Sequence, residues 1–253
     1  MLVHPTGMSV ELLSSMGTDL DIVNAARVSF GKESAYEYYR HDPISQRFER
    51  RDRLTTNSNI VWTPCLSVAD AGVLNYLMAH KHGTPWEMVQ FKFRIHVPIG
   101  VVWEWVRHRI SSFNVMSTRY VTMAREFYIP LAEQIRRQIG KAGQYKFEAM
   151  TAYEAQEILD IYTKSMYDSY AAYEKLLELG LAREVARNVL PMGLFTEFVW
   201  SVNLRSLFNF LSLRTAPNAL YEIQVPALMV QELASQIVPE AFNAWKRNGK
   251  VAP

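Results

Sequence analysis

From residue 91 the chain reads FKFRIHVPI, and this alternation narrows the possible folds more than any other stretch. Phe91, Phe93, Ile95, Val97 and Ile99 alternate with Lys92, Arg94 and His96, the period-two pattern of a strand with one face buried. Such a strand needs partner strands and a covering layer. The layer is legible downstream, where helical patterns dominate. TAYE at Thr151 is a capping box, and Ile158, Ile161, Tyr162 and Ser165 recur at helical spacing until Gly180. Upstream, Ser67 and Asp70 form a second box before the stripe Val73, Leu74, Leu77 and Met78, with Gly83 as the stop. A further helix is predicted through FVWSVNLRSLFNFLSLR, and a last one, carrying Pro226 and ending near Pro239, is kinked or split.

No repeat, low-complexity tract or Gly/Ser linker divides the chain. The expected architecture is therefore α+β: a single domain over 1–253, an antiparallel or mixed sheet packed by long helices, and a helix-rich C-terminal half. Residues 31–64, with RFERRDR inside, read as a polar surface excursion. With 49% hydrophobic residues among 253, a sizeable core is available and disorder is not expected.

Charge excludes several classes. Lys and Arg number 27 against 25 acids, a net of +2, so no general pull toward nucleic acid or membrane exists and anion binding must be local. Cys65 is the one cysteine, which rules out an intrachain disulfide and a Cys-cluster metal site. The start MLVHPTGMSV lacks a signal-peptide pattern, and the apolar run Val97–Val106 carries Glu104 and falls short of the ~20 residues a membrane span needs. A soluble, cytoplasmic protein is expected.

Against that neutral background, RHRISSFNVMSTRY at 107–120 gathers Arg107, His108, Arg109 and Arg119 with Ser111, Ser112, Asn114, Ser117 and Thr118, and no acid. An apolar run leads straight into it, so these guanidinium groups are expected at the end of something buried, where an unpaired charge costs several kcal/mol. Forked Arg donors suit phosphate and carboxylate. The plain alternative is a set of structural ion pairs, with Glu104 and Glu126 the nearest acids. The eleven glycines form neither GxGxxG nor a P-loop, so any nucleotide must be held by side chains. Leu204, Leu207, Phe208 and Leu211 make a helical stripe that Arg214 continues, while Arg205 and Asn209 share the adjoining face with Asn203 half a turn before. A terminal Arg bonding the last helix carbonyls is the alternative there.

RHR followed by seven residues and Ser117, continuing as STRY, resembles the signature of the flavin-dependent thymidylate synthases. ARVSF (26–30), HGTPWE (82–87), EFYIP (126–130), REVARNVLP (183–191) and NLRSLFNFLSLR (203–214) match in the same order. The resemblance implies an enzyme that makes dTMP from dUMP, with methylenetetrahydrofolate as carbon donor, NADPH as reductant and FAD as cofactor. It implies that Arg107, His108, Arg109, Thr84, Asn203, Arg205 and Asn209 contact FAD, with Ser29 and His82 beside the flavin. Glu104, Arg107, Val115, Met116, Ser117, Thr118, Arg119 and Arg187 would bind dUMP, and Arg214 would favour ionisation of the uracil N3. A homotetramer with shared active sites is implied too, with no nucleic acid, membrane or metal among the partners.

Two positions depart from the family pattern: Val115, where an acid or amide is common, and Asn218, where a histidine is frequent. Cys65 lies outside every matching block and reads as a small buried hydrophobe rather than a thiolate nucleophile. Ser117 has no His–Asp relay and reads as a binder. Three rivals stand beside this reading. A nucleic-acid module lacks a wider basic stripe. A metal hydrolase would have to use His80, His82, His96 and His108 without an HExxH. A degenerate relative kept only for FAD binding is opposed by the complete set Arg107, Arg109, Arg119, Arg187 and Arg214.

Overall fold

The computed structural model describes residues 1–42, 47–50, 63–141 and 144–253, with 40–42 and 47–50 described by backbone alone. In chain order the first elements are β1 (Leu2–Val3), β2 (Ser9–Met16), α1 (Asp19–Arg27), β3 (Glu37–Asp42), β4 (Arg47–Arg50), β5 (Thr63–Cys65) and α2 (Val68–Ala79). Then come β6 (Gln90–Pro98), α3 (Ile99–Trp105), β7 (Ser112–Val115), β8 (Arg136–Ile139), β9 (Lys146–Ala149) and α4 (Ala152–Glu178). The last are α5 (Arg183–Ala186), β10 (Phe195–Asn203), α6 (Leu204–Arg214), α7 (Tyr221–Ile237) and α8 (Pro239–Arg247). The α+β class holds. Five strands form a sheet in the order β1-β2-β6-β10-β7, β4-β3-β5 form a second and β8-β9 a hairpin. Every register resolved, β1 with β2, β3 with β4 and β5, β8 with β9, is antiparallel.

The chain falls into two compact units. The first takes Met1–Glu11, Phe93–Trp200 and Leu220–Met229; the second takes Leu12–Lys92, Ser201–Ala219 and Val230–Pro253. In the first, β6 buries Phe93, Ile95 and Val97 as its alternation predicts. On the strand's other face Arg94 bonds Glu11 of β2 at 2.8 Å and reaches Glu197 of β10 at 3.5 Å. Trp105, at the last position of α3, is fully buried, edge-on to Phe198 (5.5 Å) and Trp200 (5.3 Å). Each such aromatic pair adds about 0.5–1.5 kcal/mol beyond its burial. That wedge fixes where α3 stops, two residues before Arg107.

Helix α4 starts at the Thr151 box as read, and Gly180 follows it with φ of +85°. Its buried face is rotated from the predicted stripe: Ala155, Tyr170 and Tyr173 are buried, while Ile161 is 64% exposed. Tyr170 and Tyr173 pack with Met123, Ala186 and Leu194, and Tyr170 donates to the Met123 carbonyl at 2.6 Å.

In the second unit α2 is capped by Ser67, whose hydroxyl accepts the Asp70 N–H at 3.1 Å. The helix ends before Gly83, because Lys81 takes the left-handed conformation itself, with φ of 57°. The predicted helix over 198–214 is corrected: residues up to Asn203 are strand β10, with Phe198, Trp200 and Val202 buried in alternation. Helical period begins only at α6, whose stripe Leu204, Leu207, Phe208 and Leu211 is completely buried. Phe208 stacks on Trp245 of α8 at 5.4 Å and meets Phe242 edge-on at 5.1 Å. The final helical stretch is split at Val238, with Pro226 inside α7 and Pro239 opening α8. Asp19, 4% exposed, accepts the N–H groups of Glu240 (3.0 Å) and Ala241 (2.8 Å), capping α8 from the start of α1.

Within the excursion read at 31–64 lie β3 and β4, and β5 begins at its end, the three forming the sheet β4-β3-β5. The RFERRDR side chains lie outside the described residues.

Candidate functional site

In the first unit the basic stretch is a turn hung from a buried helix end. Val106 donates its N–H to Val102 O at 2.9 Å, His108 to Trp105 O at 3.0 Å, and Ser111 Oγ to His108 O at 2.7 Å. The arginines themselves are not buried. Arg107 is 67% exposed and its Nη1 lies 3.1 Å from Glu104 Oε2; Arg109 is also exposed. The basic residues do stand at the end of something buried, as expected, but their guanidinium groups are exposed, because Trp105 takes the buried position and the chain turns outward after it.

Strand β7 then carries the chain along the sheet, and Met116 N–H donates to Glu197 O at 2.9 Å. At Ser117 the chain turns, its carbonyl accepting from Tyr120 (3.1 Å) and Val121 (3.2 Å). Thr118 Oγ1 accepts from Arg187 Nη1 at 3.0 Å, a bond across 69 residues. Arg187 can reach it because Ala186, the residue before, is completely buried and pins α5. Arg119 bonds the Tyr120 hydroxyl at 3.2 Å and lies over its ring. Val115 and Met116 are exposed side chains on the same strand end. Of the nine residues expected at dUMP, eight lie in this unit and Arg214 in the second; within this unit the structure joins Glu104 to Arg107 and Thr118 to Arg187.

The residues expected at FAD are divided between the units: Arg107, His108 and Arg109 in the first, Thr84, Asn203, Arg205 and Asn209 in the second, together with Arg214. Asn203 caps α6, its Oδ1 accepting the Ser206 N–H at 2.8 Å, so a ligand contact falls to its amide donor. Arg205 Nη1 bonds Glu87 at 2.7 Å and its Nε reaches the Pro253 carbonyl at 3.4 Å. The guanidinium lies directly against Gly83, where a Cβ would come within 2.4 Å of it. A side chain at position 83 would push the guanidinium aside. Asn209 is exposed one turn further along α6, and Arg214, half-buried, ends it on the apolar stripe as predicted.

Thr84, His82 and Ser29 line a pocket of about 840 Å³ with Arg27, Tyr76, Val73 and several small residues. Tyr76 stacks on His80 at 4.1 Å and meets His82 edge-on at 5.7 Å. A site of this volume, with apolar walls and a few polar groups, has the dimensions of a cofactor pocket. Hydroxyl, imidazole and guanidinium groups on Ser29, Thr84, His82 and Arg27 among apolar walls fit a phosphate-bearing, heteroaromatic group such as FAD. Arg27 and Glu87 lie in ARVSF and HGTPWE, but nothing in the local spacing of these residues or of Tyr76 marks them as lining or bordering the site.

Cys65 is half-buried on β5, its Sγ near the Thr63 carbonyl. Among the described residues, no three His, Cys, Asp or Glu side chains are grouped to hold a metal ion, and no helix is long and apolar enough to cross a membrane.

Comparison with known proteins bears on these positions directly. The family model described as thymidylate synthase complementing protein matches residues 11–240. A flavin-dependent thymidylate synthase of Thermosipho melanesiensis is 37% identical over 236 residues, covering 93% of this chain and 89% of its own. One from Thermus thermophilus is 38% identical over 239 residues, covering 94% and 76%. Among solved structures, the UMP/dUMP methylase PolB of Streptomyces cacaoi, bound with 5-Br UMP, aligns with a TM-score of 0.79 at 29% identity, over 97% of this chain and 96% of that one. With the basic turn, the capped α6 and the glycine-backed Arg205 all falling inside the matched span, this chain belongs to the flavin-dependent thymidylate synthase family.

Proposed function

We propose that the protein methylates dUMP to dTMP in the cytoplasm, using methylenetetrahydrofolate as carbon donor and NADPH as reductant. Bound FAD would supply the hydride that completes the new methyl group. The observation that carries the reading is the Arg187–Thr118 bond, which brings two cations, Arg187 and Arg119, and two hydroxyls onto one exposed turn. Such a group suits a nucleotide phosphate, for which forked charge-assisted bonds are the strong ones. The PolB complexes with 5-Br UMP and 5-Br dUMP support a uridine nucleotide as the substrate class.

Ser117 and Thr118 donate to the phosphate, Arg119 and Arg187 neutralise it, and Glu104 and the backbone of Val115 and Met116 position the remainder. Arg107, His108 and Arg109, with Thr84, Asn203, Arg205 and Asn209, hold FAD. Arg214 holds its guanidinium against uracil N3 and the neighbouring carbonyl, stabilising negative charge on the ring as an oxyanion hole does. It stays cationic while N3 loses its proton, because its pKa lies above about 12. No cysteine nucleophile is required.

Apolar side chains left exposed in the first unit, Trp103 (61%), Ile110 (76%) and Ile161 (64%), suit burial in a homotetramer with shared active sites. Light scattering on the purified protein gives the assembly mass. The reaction is tested by NADPH oxidation with FAD and methylenetetrahydrofolate, with and without dUMP, followed by chromatography for dTMP. Formation of dTMP establishes the reaction; NADPH oxidation without dTMP makes the protein a flavin oxidase instead.

A further inference from the structure

Three segments of the second unit converge on one carboxylate. Asp70, in the first turn of α2, is 4% exposed. Its Oδ1 accepts from Arg27 Nε at 3.1 Å, Arg27 Nη2 at 2.5 Å and Ser34 Oγ at 2.8 Å, and its Oδ2 from Ser67 Oγ at 2.8 Å. Ser34 is bracketed in turn by Asn24, donating its N–H to Oδ1 at 2.7 Å and accepting Nδ2 on its carbonyl at 3.1 Å. Burial pushes the Asp70 carboxyl up, but the hydrogen bonds from Arg27, Ser67 and Ser34 outweigh it and hold it below the usual carboxylate range. Asp70 is an anion at neutral pH. Capping α2 accounts for its contact with Ser67 and for nothing else in the set.

Both Arg27 contacts use the Nε/Nη2 edge. Nη1 makes no hydrogen bond among the described residues, and Arg27 lines the pocket of about 840 Å³ beside Ser29, His82 and Thr84. Its side chain is 24% exposed, so the second edge is available on the pocket side. Ala25, Ala26, Ala69 and Gly72 line the same pocket with side chains too small to fill it.

We propose that Arg27 recognises an oxyanion of the ligand in this pocket and that Asp70 is its positioning residue, fixing one edge of the guanidinium so that the other meets the ligand. The inference rests on the reading that the pocket serves FAD or the folate. Their shared chemistry is an oxyanion: the diphosphate of FAD or the glutamate carboxylates of the folate.

The test is equilibrium titration of FAD against riboflavin, and of tetrahydrofolate against its glutamate-free pteroate core. The proteins are the wild type, Arg27→Gln, Arg27→Lys, Asp70→Asn and the Arg27→Gln/Asp70→Asn double variant. Arg27→Gln weakens one anionic ligand about 10- to 100-fold, the span of one lost hydrogen bond to a charged group. The uncharged member of that pair is unaffected, and Arg27→Lys, which keeps the ion pair and the fold, recovers part of the loss. Loss on FAD but not riboflavin assigns the phosphate, and loss on the folate but not its core assigns the carboxylate. Asp70→Asn weakens the same ligand, and adds nothing once Arg27 is Gln, because a residue acting through another is not additive with it. Unchanged binding in Arg27→Gln, equal loss on both members of each pair, or an additive Asp70→Asn effect overturns the inference while leaving the family reaction standing. A wild type that binds none of the four ligands removes the flavin reading itself.

Discussion

In the first unit Arg107, Arg119 and Arg187 face solvent, holding a neighbouring carboxylate or a hydroxyl at 3.0–3.2 Å. In the second, Arg27 is locked on a buried carboxylate that two serines also hold, whereas Arg205, 45% exposed, meets Glu87 at the surface. The same residue type is thus used in two ways. An exposed arginine keeps its hydration and its rotamers, and ordering it on a ligand costs about 0.5–1.5 kcal/mol per side chain. A clamped one has met that cost during folding, so its share of binding is pre-organised. The first arrangement suits a substrate that must come and go at every turnover; the second suits a group that stays.

The largest expected effect removes a clamp. Asp70→Ala leaves a mostly buried guanidinium without its carboxylate, for which about 3–5 kcal/mol of stability is lost. Urea unfolding measures it. A loss under about 1 kcal/mol, the range of an exposed pair, would mean that Arg27 relaxes into solvent and that the two units do not differ in this respect.

Half of that clamp is legible in the sequence and half is not. Ser67 and Asp70 are a capping box by spacing, and Arg27 lies in ARVSF. Their partnership spans 43 residues, and no periodicity connects positions so far apart. Pairings of this kind are set by where helices pack. The same limit produced the one wrong element. Across Phe198–Arg214 apolar residues are dense enough to satisfy both a period of two and a period of 3.6, so the change from strand to helix at Asn203 is invisible until the cap is seen. The alternating strand β6 and the boxed start and glycine end of α4 carried clear local signals and stood where expected, while the buried face of α4 did not. The candidate site was legible residue by residue through the family motifs, yet the exposure of Arg107 depended on Trp105 occupying the core, which only packing shows.

Next in size is Arg214→Ala. It ends α6 half-buried, between the two extremes, and losing a pre-organised donor of this kind costs about 2.7–4 kcal/mol in the chemical step. The rate of dTMP formation falls about 100- to 1000-fold, while FAD binding, followed by flavin fluorescence, is kept. Undiminished turnover removes Arg214 from the mechanism.

A buried carboxylate that pairs with no cation among the described residues sharpens the contrast within the second unit. Burial raises Asp19 from 3.8 to about 6, opposed by the N–H groups of Glu240 and Ala241. Because the folded-state value is the higher one, its contribution to stability is fully present below pH 3.8 and is lost as pH rises through about 6. The span is on the order of 3 kcal/mol. Asp19→Asn removes this pH dependence, so the wild-type minus variant stability difference falls as pH rises between those limits. A difference that stays flat would place Asp19 among ordinary solvated carboxylates.

The smallest effect is at the exposed end of the comparison. Glu104 and Arg107 stand three residues apart, 25% and 67% exposed. A double-mutant cycle with Glu104→Gln and Arg107→Gln gives a coupling of about 0.2–1 kcal/mol in unfolding experiments, and less in high salt, where exposed pairs are screened. The informative step is to repeat the cycle on dUMP affinity. If Arg107 waits for a ligand, closing the site removes water from the pair, and the coupling measured in binding exceeds the coupling measured in folding. Equal values in both would make Glu104–Arg107 a surface ion pair and nothing more, leaving Thr118 and Arg187 to carry recognition in the first unit.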